Sequence, residues 1–161
     1  MIQKTQLIQI PRFQNASDNV LAWISERIYH RSFERGQILF HQGSSSDALY
    51  IIESGVVKVT MYLENGREII VDLLGNGEAV GEAALMDNCP FPANAEAHEA
   101  TSALILPRKQ YMEMMQMFPE ISLATLRELS LRMRALSRRI HSLGLGSVEY
   151  RLAQVLLDLG K

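Results

Sequence analysis

Seven glycines between Gly36 and Gly81 divide the chain into short apolar runs: GQILF, ALYIIESG, VVKVTMYLENG, REIIVDLLGNG and EAVGE. ANAEAHEATSALILP follows in the same style. Runs this short and this rich in Val, Ile and Tyr fit strands better than helices, which need longer periodic segments. ESG and ENG carry hairpin chemistry, because glycine takes the positive φ of a tight turn without a Cβ clash. VVKVTMYL, then ENG, then REIIVDLL therefore predicts a β-hairpin. Several short strands with turns at regular spacing predict an antiparallel sandwich, barrel or jelly roll over about 36–107.

Helical periodicity flanks this zone. Val20, Leu21, Ile24 and Ile28 recur at helical spacing behind Ser17 or Asp18 as cap, which predicts a short helix within about 17–33. PRKQYMEMMQMFPE reads as a second short helix stopped near Pro119. The fold class expected is α+β: an antiparallel β-roll flanked by short helices, with a long C-terminal helix. The organisation expected is residues 1–118 as one domain, 119–143 as a dimerisation helix and 144–161 as a hinge leading into a further segment.

The long helix is the more specific signal. Leu126, Leu129, Met133, Leu136, Ile140 and Leu143 follow one another at steps of 3, 4, 3, 4 and 3, the a/d seam of a coiled coil. A homodimer is expected through this seam; the alternative is a helix packed on its own β domain. Leu123 and Leu131 lie off the seam and are expected to face the β zone. Arginines 127, 132, 134, 138 and 139 crowd the remaining surface, a solvated face rather than a nucleic-acid surface. GLG at 144–146 is expected to end the helix before the amphipathic stretch VEYRLAQVLLDLGK.

Bulk properties narrow the function. A formal net charge of −2 gives no global pull towards nucleic acid or membrane. No segment is apolar for the length a bilayer needs, and MIQKTQLIQIPRF lacks a signal-peptide core, so the expected location is the cytoplasm. A single cysteine, Cys89, excludes a disulfide framework and a cysteine-ligated iron–sulfur cluster. The histidines, His30, His41, His98 and His141, stand apart, with no His-x-His or His-Glu-x-x-His spacing, so no preformed metal site is expected. No catalytic constellation is visible, and the chain reads as non-enzymatic. YMEMMQMF concentrates four methionines, which serve as adaptable core packing.

The order of elements, together with GQILF and Gly43, LYIIESGVVKV, the Gly66 hairpin and LLGNGEAVGEAALMD, resembles the sensory half of the CRP/FNR family of transcription regulators. LGNGEAVGE is similar to the family's LxxGdxxGE signature, and VEYRLAQVLLDL resembles the first helix of its DNA-binding domain. The resemblance implies a cytoplasmic homodimeric sensor whose DNA contact runs through a helix-turn-helix that these residues do not include.

In cyclic-AMP-binding members the Gly-Glu pair holds the ribose hydroxyl, and an Arg-Ser pair some ten residues on meets the cyclic phosphate. Gly81 and Glu82 match, whereas Pro92 and Ala93 stand at the Arg-Ser positions. On the long helix, where such members place hydroxyls to read adenine, this chain has Leu136 and then Ser137. Cyclic AMP is therefore not the expected effector.

The pocket that the resemblance implies is lined by Val59, Val71, Leu74, Val80, Gly81, Glu82, Ala83, Pro92, Ala93, Arg132, Leu136 and Ser137. These mostly small, apolar walls suit a flat hydrophobic ligand or cofactor. The pattern most resembles the DNR/HcpR-like regulators of nitrosative stress, which implies haem or nitric oxide as effector, with His98, His141 or Cys89 as axial ligand. Two alternatives stay open: a cyclic-nucleotide module that uses Arg132 or a partner-chain residue as its phosphate cation, and a cupin-like metalloenzyme.

Overall fold

A computed structural model of the chain describes residues 2–145, with side chains described as far as residue 138. The chain divides into two compact units, Met1–Ser122 and Leu123–Lys161.

The first unit opens with helix α1 (Lys4–Leu7), a 3-10 turn at Pro11–Phe13 and helix α2 (Asp18–Ser25). Leu7, Ile10 and Phe13 are buried and join the main core, so the N-terminal segment is structural. Eight strands follow: β1 (Tyr29–Phe33), β2 (Ile38–Phe40), β3 (Ala48–Ser54), β4 (Val57–Tyr62), β5 (Glu68–Leu74), β6 (Ala79–Val80), β7 (Asn94–Ala97) and β8 (Thr101–Pro107). Helix α3 (Glu82–Asp87) interrupts them between β6 and β7, and α4 (Arg108–Met117) and α5 (Pro119–Leu145) close the described chain.

The strands form two four-stranded antiparallel sheets, ordered β1-β8-β3-β6 and β2-β7-β4-β5. β3 is buried at five successive positions, Ala48–Ile52, because it lies inside its sheet and α3 and α4 pack against it. β5 is the edge strand of the other sheet and leaves Ile69, Ile70, Val71 and Leu73 exposed.

The β4–β5 hairpin forms as the Asn-Gly signal predicts: Gly66 has φ +76°, its N–H donates to the Leu63 carbonyl at 2.9 Å, and the Asn65 Oδ1 accepts from the Arg67 N–H at 3.1 Å. Gly55 makes the preceding β3–β4 turn at φ +90°, where a Cβ would lie 2.6 Å from the Ala100 carbonyl oxygen. A bulge between Val59 and Thr60 skips Val71 in the β4–β5 register, so Val59 faces Asp72 and Thr60 faces Ile70.

One expectation is corrected. The helix expected over about 17–33 ends at Ser25, and Tyr29–Phe33 is a strand paired with β8. Ile28 continues the helical spacing of Val20 and Ile24, but pairing of Tyr29–Phe33 with Ile105–Thr101 outweighs that local pattern. Leu123 and Leu131 belong to the second unit, within which both are exposed.

α5 starts with Pro119 at its first position and Glu120 in its first turn, as helix N-termini favour. In the second unit its seam residues Leu126, Met133 and Leu136 are exposed and Leu129 is half-buried. The side chains of Ile140 and Leu143, Gly146 and the VEYRLAQVLLDLGK stretch lie outside the described residues.

Candidate functional site at the Gly81–Glu82 turn

β6 ends at Val80, and Gly81, at φ +89°, turns the chain into α3 as its N-cap. Two features demand glycine here. The left-handed backbone disfavours any side chain, and an added Cβ would lie 2.6 Å from Cε1 of Phe91. The Phe91 ring stacks on Phe40, with centroids 3.7 Å apart and planes 15° off parallel, and Tyr50 leans on Phe40 at 5.4 Å. The turn is thus roofed by aromatic carbon.

α3 stops at Asn88, a left-handed C-cap with φ 54° whose following residue, Cys89, donates to the Ala84 carbonyl at 3.1 Å. The Ser46 hydroxyl ties this end down by donating to the carbonyls of Ala84 and Cys89 at 3.1 and 2.8 Å. The segment leading to β7 is held the same way: Phe91 N–H donates to Ser44 O at 2.9 Å and Gly43 N–H to Phe91 O at 2.7 Å.

Glu82 points into the protein. Its Oε1 accepts from Arg12 Nη1 at 2.5 Å and from the Tyr111 hydroxyl at 2.8 Å, and its Oε2 accepts from Arg12 Nη2 at 3.2 Å. Arg12 and Glu82 are each only 3% exposed and Tyr111 is fully buried. Burying two charges is costly, and the fork-on-fork geometry plus the phenol offsets that cost. An ionised carboxylate offers about four acceptor sites, of which three are used here. A ligand hydroxyl seeking Glu82 has to compete with a guanidinium and a phenol already in place.

The other expected pocket residues are distributed as follows. Leu74, Val80 and Ala93 are buried, Val59 is half-buried, and Val71, Ala83 and Pro92 are exposed. Val59, Val71 and Leu74 belong to the β2-β7-β4-β5 sheet, whereas Val80 pairs with Tyr50 in the other. In the second unit Arg132 is half-buried, Leu136 is exposed, and the Ser137 hydroxyl donates to the Met133 carbonyl at 3.0 Å.

Among the residues with haem-ligating chemistry, Cys89 and His98 are exposed, and His141 lies outside the described side chains. The Cys89 thiol contacts its own loop, at 3.5 Å from the Asp87 carbonyl. Gly81 and Ala83 offer no haem ligand and the Glu82 carboxylate is engaged, so the turn itself does not fit a haem iron. Among the described residues no group of three or more His, Cys, Asp or Glu side chains converges, and no helix is long and apolar enough to cross a membrane.

Sequence reasoning missed Arg12, Tyr111, Phe40 and Phe91. Arg12 carried one usable sign: it interrupts the apolar IPRF stretch between Ile10 and Phe13, and a buried arginine requires a partner.

Residues 30–118 match the model of the cyclic nucleotide-binding domain. The chain belongs to this family. A CRP-like cAMP-activated global transcriptional regulator of Mycobacterium tuberculosis is 30% identical over 149 residues, covering 92% of this chain and 66% of the relative. The catabolite activator protein of Thermus thermophilus superposes with a TM-score of 0.71 at 28% identity, over 83% of this chain and 62% of that one. The sensor domain of the transcriptional regulator DNR from Pseudomonas aeruginosa superposes with a TM-score of 0.70 at 25% identity, over 90% and 95% of the two chains. Within the cyclic nucleotide-binding domain family the chain stands with the CRP/FNR regulators, and its β-roll with short helices and a long C-terminal helix is their fold.

Proposed function

We propose that the chain is the sensory part of a CRP/FNR-type regulator whose effector is not a cyclic nucleotide. The observation that carries this reading is the buried Arg12–Glu82–Tyr111 cluster. The carboxylate that would hold a ribose hydroxyl serves instead as a structural tie between the N-terminal turn, α3 and α4. The effector is a flat, largely apolar molecule; haem, flat and apolar apart from its two propionates, is an alternative whose axial ligand would come from outside the turn. Sensing needs no covalent chemistry, so the domain is non-enzymatic.

The long helix supplies the dimer contact through Leu126, Leu129, Met133, Leu136, Ile140 and Leu143. Its exposed Leu126, Met133 and Leu136 support this, because a solitary helix gains by covering such side chains. Effector binding shifts the packing of the paired helices, and the hinge at 144–147 passes the shift to a helix-turn-helix DNA-binding domain. Such coupling requires that the effector bind the two arrangements with different affinity.

Thermal denaturation with added cAMP, cGMP or haemin tests the effector class. A ligand present at about 100 times its Kd adds about 2.7 kcal/mol to stability and raises the midpoint by several degrees. The proposal expects no shift with either cyclic nucleotide. A saturable shift with cAMP overturns it. A haemin shift with a sharp Soret band at one haem per chain identifies the effector as haem.

A further inference from the structure

The segment between α3 and β7 sends one large side chain over the Gly81 turn, and it is that of Phe91. The ring is 1% exposed and lies so close to Gly81 that even a methyl group there would strike it. Its direction is fixed from both sides, since the Phe91 N–H and C=O are both bonded to the turn at Ser44 and Gly43. Pro92, the residue that counting forward from Gly81–Glu82 places at the cation position, is exposed and has no N–H with which to pair. α3 ends in a left-handed cap at Asn88, and the loop of Cys89 and Pro90 that follows leaves Phe91 buried and Pro92 exposed before β7 begins.

We infer that Phe91, and not Pro92, is the specificity-determining residue of the turn. Its ring, buried against Phe40 and the Gly81 turn, fills the space from which a cation would neutralise a ligand phosphate. An anion brought to the turn would lose its hydration with no charge to replace it, a loss that an uncharged ligand does not incur. The turn therefore disfavours phosphates relative to uncharged ligands. This inference rests on the reading of the turn as the effector site given above.

Exchange of the cation position tests it. In the full chain at low salt, Phe91→Arg is expected to bind cAMP at least about tenfold more tightly than the wild type, since a charge-assisted contact replaces an apolar one. Pro92→Arg, with its side chain in solvent, is expected to change affinity by less than about threefold. A gain in Pro92→Arg without a gain in Phe91→Arg overturns the inference, and so does a folded Phe91→Arg protein that binds no better than wild type.

If Phe91→Arg does not fold, Phe91→Ala carries the test. Removal of the ring beside Phe40 should leave an apolar cavity that takes up indole, read as a rise in thermal midpoint absent from wild type. No rise in folded Phe91→Ala overturns the inference. Tight cAMP binding by the wild type would instead sink the proposed effector class, leaving the contrast between positions 91 and 92 to be read on its own.

Discussion

The guanidinium of Arg12 grips both carboxylate oxygens of Glu82 from 70 residues away in the sequence, with both side chains almost wholly buried. The contact fastens the N-terminal segment to the turn at Gly81. Breaking it from one side should be severe. Arg12→Met leaves an unpaired buried carboxylate and should destabilise the chain by about 3–5 kcal/mol. The double variant Arg12→Met with Glu82→Gln should lose less than the sum of its single variants. Urea denaturation of the four proteins gives the coupling directly, and additive losses would show that the pair does not act as a unit.

Tyr111 completes the cluster with one hydroxyl. Tyr111→Phe keeps the ring that fills the core and removes a hydrogen bond to a charged group. The expected loss is about 1.5–3 kcal/mol, read in the same denaturation experiment. A neutral result would mean that the phenol is not needed to hold the carboxylate.

Gly66 and Gly81 both have positive φ, but only Gly81 faces a wall. Gly66→Ala should cost about 1–2 kcal/mol for the left-handed backbone alone. Gly81→Ala adds a collision with the Phe91 ring and should cost about 1–3 kcal/mol more. Equal losses at the two positions, measured by thermal unfolding, would place the Phe91 ring elsewhere.

Burial raises the Tyr50 phenol above its ordinary value of 10.0, and the nearby Asp47 carboxylate adds to the effect. The sign follows from linkage. Below pH about 10 the phenol is protonated whether folded or unfolded, and stability does not depend on it. Above that pH the unfolded chain releases the proton first, so the folded state binds more protons and stability falls as pH rises. Tyr50→Phe should flatten this alkaline decline in a series of melts, relative to wild type.

What was legible in the sequence was local. Asn65-Gly66 announced its hairpin because the turn chemistry sits in adjacent residues, and the Gly-Glu string marked the turn into α3. Tyr29–Phe33 was misread because Ile28 extends the helical spacing, while the strand is decided by a partner some 70 residues on, at Thr101–Ile105. The Arg12–Glu82 pair has the same long separation and no periodicity to betray it. At Phe91 the residue type was plain, but its burial follows the left-handed cap at Asn88, which no count of residues reveals.

The dimer seam has its own test. Leu136→Asp places a charge on an exposed apolar seam position of α5 and should shift the sedimentation equilibrium of the chain to monomer. A fully dimeric Leu136→Asp protein would contradict the seam assignment.

The most direct trial of the central claim is calorimetric titration of the wild-type chain with cAMP. A Glu82 held by Arg12 and Tyr111 predicts no saturable heat, with any Kd weaker than about 1 mM. A one-to-one isotherm with a micromolar Kd would show that the carboxylate is free to meet a ribose, and would contradict the account.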